Sequence, residues 1–189
     1  MTPRAVSETV VVRILHALGA AQTWRRTYPE TAAGIARAAN TDPLFVDLEE
    51  GAELTACILV AAAWEASRLH PYAPGVSGVG LFRIRPPSEP RLRANLLTLP
   101  RSAAREAVRL MRTSSSVCTR MPWEERLAWY FDLGSTHLAP STEARRRSSA
   151  VLVHAKQLFL HYFELGPLVA RSDESSPLLH EPNVLEYAS

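Results

Sequence analysis

Cysteine is nearly absent from this 189-residue chain, and the two present, Cys57 and Cys118, have no second Cys or paired His at zinc-ligand spacing. That excludes a disulfide scaffold and a closed structural metal site. A single Cys57 to Cys118 bridge stays open, although Cys57 sits in an apolar helical run and reads as a small buried hydrophobe. The six histidines, at positions 16, 70, 137, 154, 161 and 180, are scattered and form no HExxH-type pair, so neither a metal nor another cofactor is expected. His154 and Lys156, late in the chain, read as structural or exposed.

Excess charge is lacking too. The formal net charge is +2, which gives no ground for a general polyanion binder. Lysine is almost missing, all but one of the basic side chains being Arg, a bias that accompanies abundant alanine and reads as coding preference. The Arg145-Arg146-Arg147 run is accordingly a solvated helix start, and without interleaved aromatics it gives no reason to expect nucleic acid as a partner. No apolar run reaches the roughly 18 to 20 residues of a membrane span. The N-terminal stretch containing Val10 to Val12 is interrupted by Glu8, Arg13 and His16, which argues for an amphipathic helix and against a signal peptide. The expectation is synthesis in the cytoplasm without a signal peptide. There are no repeats.

What is present suits one mainly α globular domain: 47% apolar content over this length supports a single core. Proline and glycine divide the chain into helices. Residues 7 to 24 predict the first, with Ser7 as cap. Tyr28-Pro29-Glu30 opens a second to about Ala39, because proline is tolerated in a first helical turn, and Thr41-Asp42-Pro43 closes it. An acidic connection, Asp47 to Glu50, leads into a long apolar helix from about Ala52 to Leu69. From Pro71 to Pro90 the punctuation leaves a loop with one extended piece near Leu81 to Ile84. Residues 101 to 113, 122 to 132 and 143 to 164 supply three more helices, the last packing through Val151, Leu152, Leu158, Phe159, Tyr162 and Phe163. The organisation expected is an N-terminal helix over 1–27 packed on a domain of 28–166, then a tail, 167–189. In that tail a polar, acidic stretch, Ser172 to Pro177, precedes short apolar anchors at Leu178-Leu179 and Val184-Leu185 that suit an assembly partner.

The chemistry concentrates between residues 58 and 87. Leu54, Ile58, Ala61, Glu65 and Leu69 form one i, i+4, i+7 stripe, expected to be buried, with Leu59, Ala62 and Ala66 beside it. A carboxylate on such a stripe, near the negative end of its helix dipole, is disfavoured as an ion, as a glycosidic general acid requires. After it come Trp64-Glu65-Ala66-Ser67-Arg68-Leu69-His70-Pro71, then Gly80-Leu81-Phe82-Arg83-Ile84-Arg85-Pro86. This segment resembles the core motif of soluble lytic transglycosylases and goose-type lysozymes, E-S-x-x-x-P at a helix end leading through a loop into G-L-x-Q-I-x-P. Leu127-Ala128-Trp129-Tyr130-Phe131-Asp132 resembles, less specifically, the family's L-A-A-Y-N-A-G segment, so the likeness spans about residues 28 to 163.

The resemblance implies a lysozyme-like fold. It also implies cleavage of the peptidoglycan glycan between N-acetylmuramic acid and N-acetylglucosamine by a single Glu general acid/base, here Glu65. Ser67, Gly80, Leu81, Phe82, Arg83 and Tyr130 would contact the sugar strand, and delivery to the cell wall would need another agent. Asp132 and Glu89 are the carboxylates nearest by motif, neither assigned a role. Two registers remain open. Aligning on Ser67 and Pro71 puts Ala66 at the acid's position, whereas aligning backward from Gly80-Leu81 puts Glu65 there and Ala66 at the serine's. In both, Arg83 stands where the family has Gln, and an Arg facing Glu65 would favour the ionised carboxylate unless it points to solvent. The alternative to an enzyme is a catalytically inactive lysozyme-fold protein that binds glycan or is a structural part of a phage-like or secretion assembly.

Overall fold

The computed structural model describes residues 4–19, 23–71, 78, 80–84, 99–117, 120–132 and 139–164. The tail 167–189, the helix reading of residues 20–22, and both Cys118 and Glu89 lie outside them. Six helices follow in order: α1 Glu8–Leu18, α2 Tyr28–Thr41, α3 Gly51–Ser67, α4 Pro100–Val117, α5 Trp123–Phe131 and α6 Thr142–Phe159. The last runs into a π-helical turn, Leu160–Glu164. No sheet occurs among the described residues, and none of their helices is long and apolar enough to cross a membrane.

The local chemistry explains most boundaries. Ser7 accepts a hydrogen bond from the Thr9 amide at α1's start, satisfying one of the helix's orphan donors. Pro29 occupies the first turn of α2. The first helix is shorter than its pattern predicted: Gly19 ends it, its amide bonding the Leu15 carbonyl at 2.9 Å. The Tyr28 hydroxyl donates to the Gly19 carbonyl at 3.2 Å, and any Cβ on Gly19 would overlap that phenol. Ahead of α1, Val6 is held at both backbone groups by the Asn40 side chain, 2.8 Å from its amide and 3.0 Å from its carbonyl.

Packing runs α2 to α4, α4 to α5, α5 to α6, α6 to α3 and α3 back to α2, a closed ring of five helices, with α1 laid on α2. All six feed one apolar cluster. α3 is its centre: fourteen of its seventeen residues are buried, which marks a helix surrounded by protein and not one with a single apolar face. The exceptions are Leu54, Trp64 and Glu65. Of the Leu54–Leu69 stripe expected to be buried, Ile58, Ala61 and Leu69 are, whereas Leu54 and Glu65 are partly exposed, and the adjoining Leu59–Ala62–Ala66 line is buried throughout. The sequence could not separate them because alanines fill both.

Cys57 is a free buried thiol, its pKa pushed up to about 12 by burial and then by the Glu53 charge. Glu53, buried on the same helix, pairs with Arg4 at 3.2 Å. Burial moves its pKa upward, with Arg4 opposing and Glu50 and Glu49 reinforcing the shift. On α6, Val151, Leu158 and Phe159 are buried as expected, while Leu152, Tyr162 and Phe163 pack partly exposed against the core. The Ser148 hydroxyl ties α6 to α5 by donating to the Glu124 carbonyl at 2.6 Å.

Candidate functional site

α3 ends because two successive residues turn left-handed, Arg68 at φ 53° and Leu69 at φ 62°. The Arg68 amide bonds the Trp64 carbonyl at 2.9 Å and the Leu69 amide bonds the Ala63 carbonyl at 3.4 Å, closing the last turn. Non-glycine residues in this region cost on the order of 1 kcal/mol or more each and persist only where surrounding packing imposes them. Leu69 is fully buried, which supplies the constraint. The third positive-φ non-glycine residue among those described, Arg83 at 45°, lies in the turn from Gly80, whose own φ of 78° suits glycine. The turn takes up Leu81 to Arg83 of the extended piece expected there, leaving Ile84 alone in a bridge, and the Arg83 amide closes it on the Gly80 carbonyl at 3.1 Å.

The two strained places are joined by Ser67. Its hydroxyl lies 3.0 Å from the Ala63 carbonyl and 2.7 Å from the Leu81 carbonyl. One hydroxyl carries one proton, and the shorter contact crosses from the helix end to the turn. Ser67→Ala should therefore strand a buried carbonyl and cost about 1 to 2 kcal/mol, read as a lower urea midpoint at unchanged slope. An unchanged midpoint would show that the turn holds without the serine.

Around this junction the expected site residues divide. Gly80, Leu81, Phe82 and Tyr130 are turned into the core, Phe82 4% and Tyr130 7% exposed. Arg83 is exposed, so the objection that it faces Glu65 loses its footing. Glu65 is partly exposed in the last turn of α3. Beside it, Trp64 carries the Arg68 guanidinium 5.0 Å above its ring, a cation–π contact. Glu65's charge reaches across to α6. Burial lowers the pKa of His154, an effect that the Glu65 charge opposes and Arg68 reinforces. The Glu65 charge also acts on Arg146. Glu65 and the partly buried His154 thus lie on the two helices, α3 and α6, that pack against each other.

Tyr130 belongs to another neighbourhood. Its ring meets Phe131 edge-on at 5.0 Å, and its hydroxyl has no hydrogen-bond partner among the described residues. Burial raises its pKa, Arg147 lowers it and Glu106 raises it. Asp132 is occupied in accepting the Ser141 amide at 2.8 Å. The Arg145-Arg146-Arg147 run is a set of separate contacts: Arg145 pairs with Glu125, Arg146 with Glu143, and Arg147 lies over Phe131. No group of three His, Cys, Asp or Glu side chains among the described residues could hold a metal ion.

Comparison with protein-family models, with curated proteins and with solved structures finds no match for this chain. His154 and Arg146 escaped the sequence reading because they lie more than 80 positions from Glu65, and only the packing of α6 on α3 brings them to it.

Proposed function

We propose that this chain is a lysozyme-like protein directed at peptidoglycan glycan strands that recognises them without cleaving them. The Ser67 to Leu81 hydrogen bond carries the reading. It gives the serine of an S-x-x-x-P helix end a physical task, clamping the helix to the Gly80-Leu81 turn, which alanine cannot perform. That favours the register in which Ala66, a buried methyl, stands at the acid's position. Glu65 is then one residue early, rotated about 100° around the helix from that position. Burial of Leu81, Phe82 and Tyr130 points the same way, since side chains committed to the core are not free to line a sugar cleft. Glycan contact would fall to the partly exposed Trp64 edge, the Arg68 guanidinium stacked over its ring, and Glu65 beside them.

The cleaving alternative has one observation of its own, the partly exposed Glu65 carboxylate. The test incubates purified, insoluble peptidoglycan with wild-type protein and Glu65→Gln, measuring co-sedimentation and, by mass, any released muropeptides. The expected result is co-sedimentation of both proteins with release from neither. Anhydro-muropeptides or reducing-end products that vanish in Glu65→Gln would replace this reading with a lytic transglycosylase or a lysozyme, respectively. Absence of both binding and release would end the glycan reading.

A further inference from the structure

A cleft of about 790 Å³ opens along the seam between α2 and α4, bordered by Gly34, Arg37, Ala38 and Asp42 on one side and by Arg101, Arg105, Glu106, Val108 and Arg109 on the other. It shares neither helix with the α3–α6 seam that holds Glu65. Gly34 sets its shape: a Cβ there would come within 2.9 Å of the Arg101 backbone, so only glycine lets the two helices approach this closely. Both acidic side chains of the lining are already neutralised. Glu106 is held by Arg109, Nε to Oε2 at 2.7 Å, and Asp42 pairs with Arg112. Arg37, Arg101 and Arg105 have no ion-pair partner among the described residues. Arg101 and Arg105 are one turn apart on the same face of α4, and Arg37 projects from α2. The floor beneath them is apolar, with Ala38 and Val108 buried.

We propose that this cleft binds a small phosphorylated organic molecule, its phosphates held by Arg37, Arg101 and Arg105 and its uncharged part resting on Ala38 and Val108. Three guanidinium groups without an ion-pair partner among the described residues exceed what one carboxylate can neutralise, while a phosphate ester or polyphosphate carries about two or more negative charges near neutral pH. Guanidinium matches phosphate oxygens with paired, charge-assisted N–H donors. The volume falls within the roughly 300 to 1,000 Å³ of small-molecule sites, which favours a compact ligand over a polyanionic strand. This site is independent of the glycan reading and stands if that reading fails.

The test is calorimetric titration of the full chain with two probes, inorganic triphosphate and adenosine triphosphate, at about 0.1 M salt. Saturable binding of both is expected, tighter for the nucleotide because of the apolar floor. Arg101→Gln and Arg105→Gln should each weaken it by about tenfold, the effect of one charge-assisted contact. Both side chains are exposed, so the variants should fold, which circular dichroism checks. Arg26→Gln, an exposed arginine away from the cleft, should leave affinity unchanged. Absence of saturable binding, or equal weakening by Arg26→Gln, would overturn the proposal.

Discussion

Replacing Leu59 by alanine should lower the unfolding free energy by about 4 kcal/mol, in the upper half of the range for buried Leu to Ala changes. Leu59 is fully buried at the centre of α3, the helix that packs against both α2 and α6. The cost depends on how far the surroundings can close over the hole, and here they have little means to do so. Ala56, Ala62 and Ala63, one turn from Leu59 on the same helix, are all buried, and alanine has no rotamer with which to refill a cavity. For a chain of this size the midpoint of thermal unfolding should fall by roughly 10 °C. Val153, 57% exposed on α6, is the control: Val153→Ala should change stability by no more than about 0.5 kcal/mol. A loss below 1.5 kcal/mol for Leu59→Ala, roughly a third of that expected, would mean that α3 is not the rigid centre of the core.

The same alanine richness explains which parts of the fold were legible in the sequence. Helix boundaries marked by specific chemistry were readable: Ser7 caps α1, Pro29 opens α2, and Thr41-Asp42-Pro43 closes it. The end of α1 was not readable, because helix-forming alanines at 20 and 21 continue the pattern past Gly19, and the stop depends on Tyr28, a tertiary neighbour. Nor could the orientation of α3 be read. A helix apolar on every side has no moment to orient it, so the exposed line was decided by what packs around it.

The candidate site divides along the same principle. The nearness of the helix end to the Gly80-Leu81 turn was legible, since the two are separated by a short punctuated loop, and the Ser67 bond is its physical form. The α6 side chains that feel the Glu65 charge were not, and neither was the arginine cleft. In sequence, Arg101, Arg105, Arg109 and Arg112 look like one solvated helix face. What distinguishes them is pairing. Glu106 and Asp42 satisfy Arg109 and Arg112 and leave the other two facing Arg37 across a seam that Gly34 brings together. A glycine inside an otherwise good helical pattern was the available signal, because it costs about 1 kcal/mol relative to alanine and such a position usually has a packing reason.

Gly51→Ala should destabilise the protein by about 2 to 3 kcal/mol even though alanine is the better helix former by about 1 kcal/mol. A Cβ at this first position of α3 would lie 1.9 Å from the Phe45 carbonyl oxygen, so the backbone of one segment must move by more than an ångström. The segment before α3 has little freedom to yield. The Leu44 amide donates to Thr55 Oγ1 at 2.8 Å, and that hydroxyl donates onward to the Gly51 carbonyl at 2.6 Å. The Phe45 ring packs 4.9 Å from Trp123 at the start of α5. Retreat of Phe45 thus breaks either the Thr55 relay, at about 1 kcal/mol for each hydrogen bond lost, or the aromatic contact, at about 0.5 to 1.5 kcal/mol. Chemical denaturation followed by tryptophan fluorescence separates these routes. A fall in stability with a changed native emission spectrum points to displacement at Trp123, and the same fall with unchanged emission points to the relay. A variant as stable as wild type would show the Phe45 segment to be slack, and α3's start to be set by something other than this close approach.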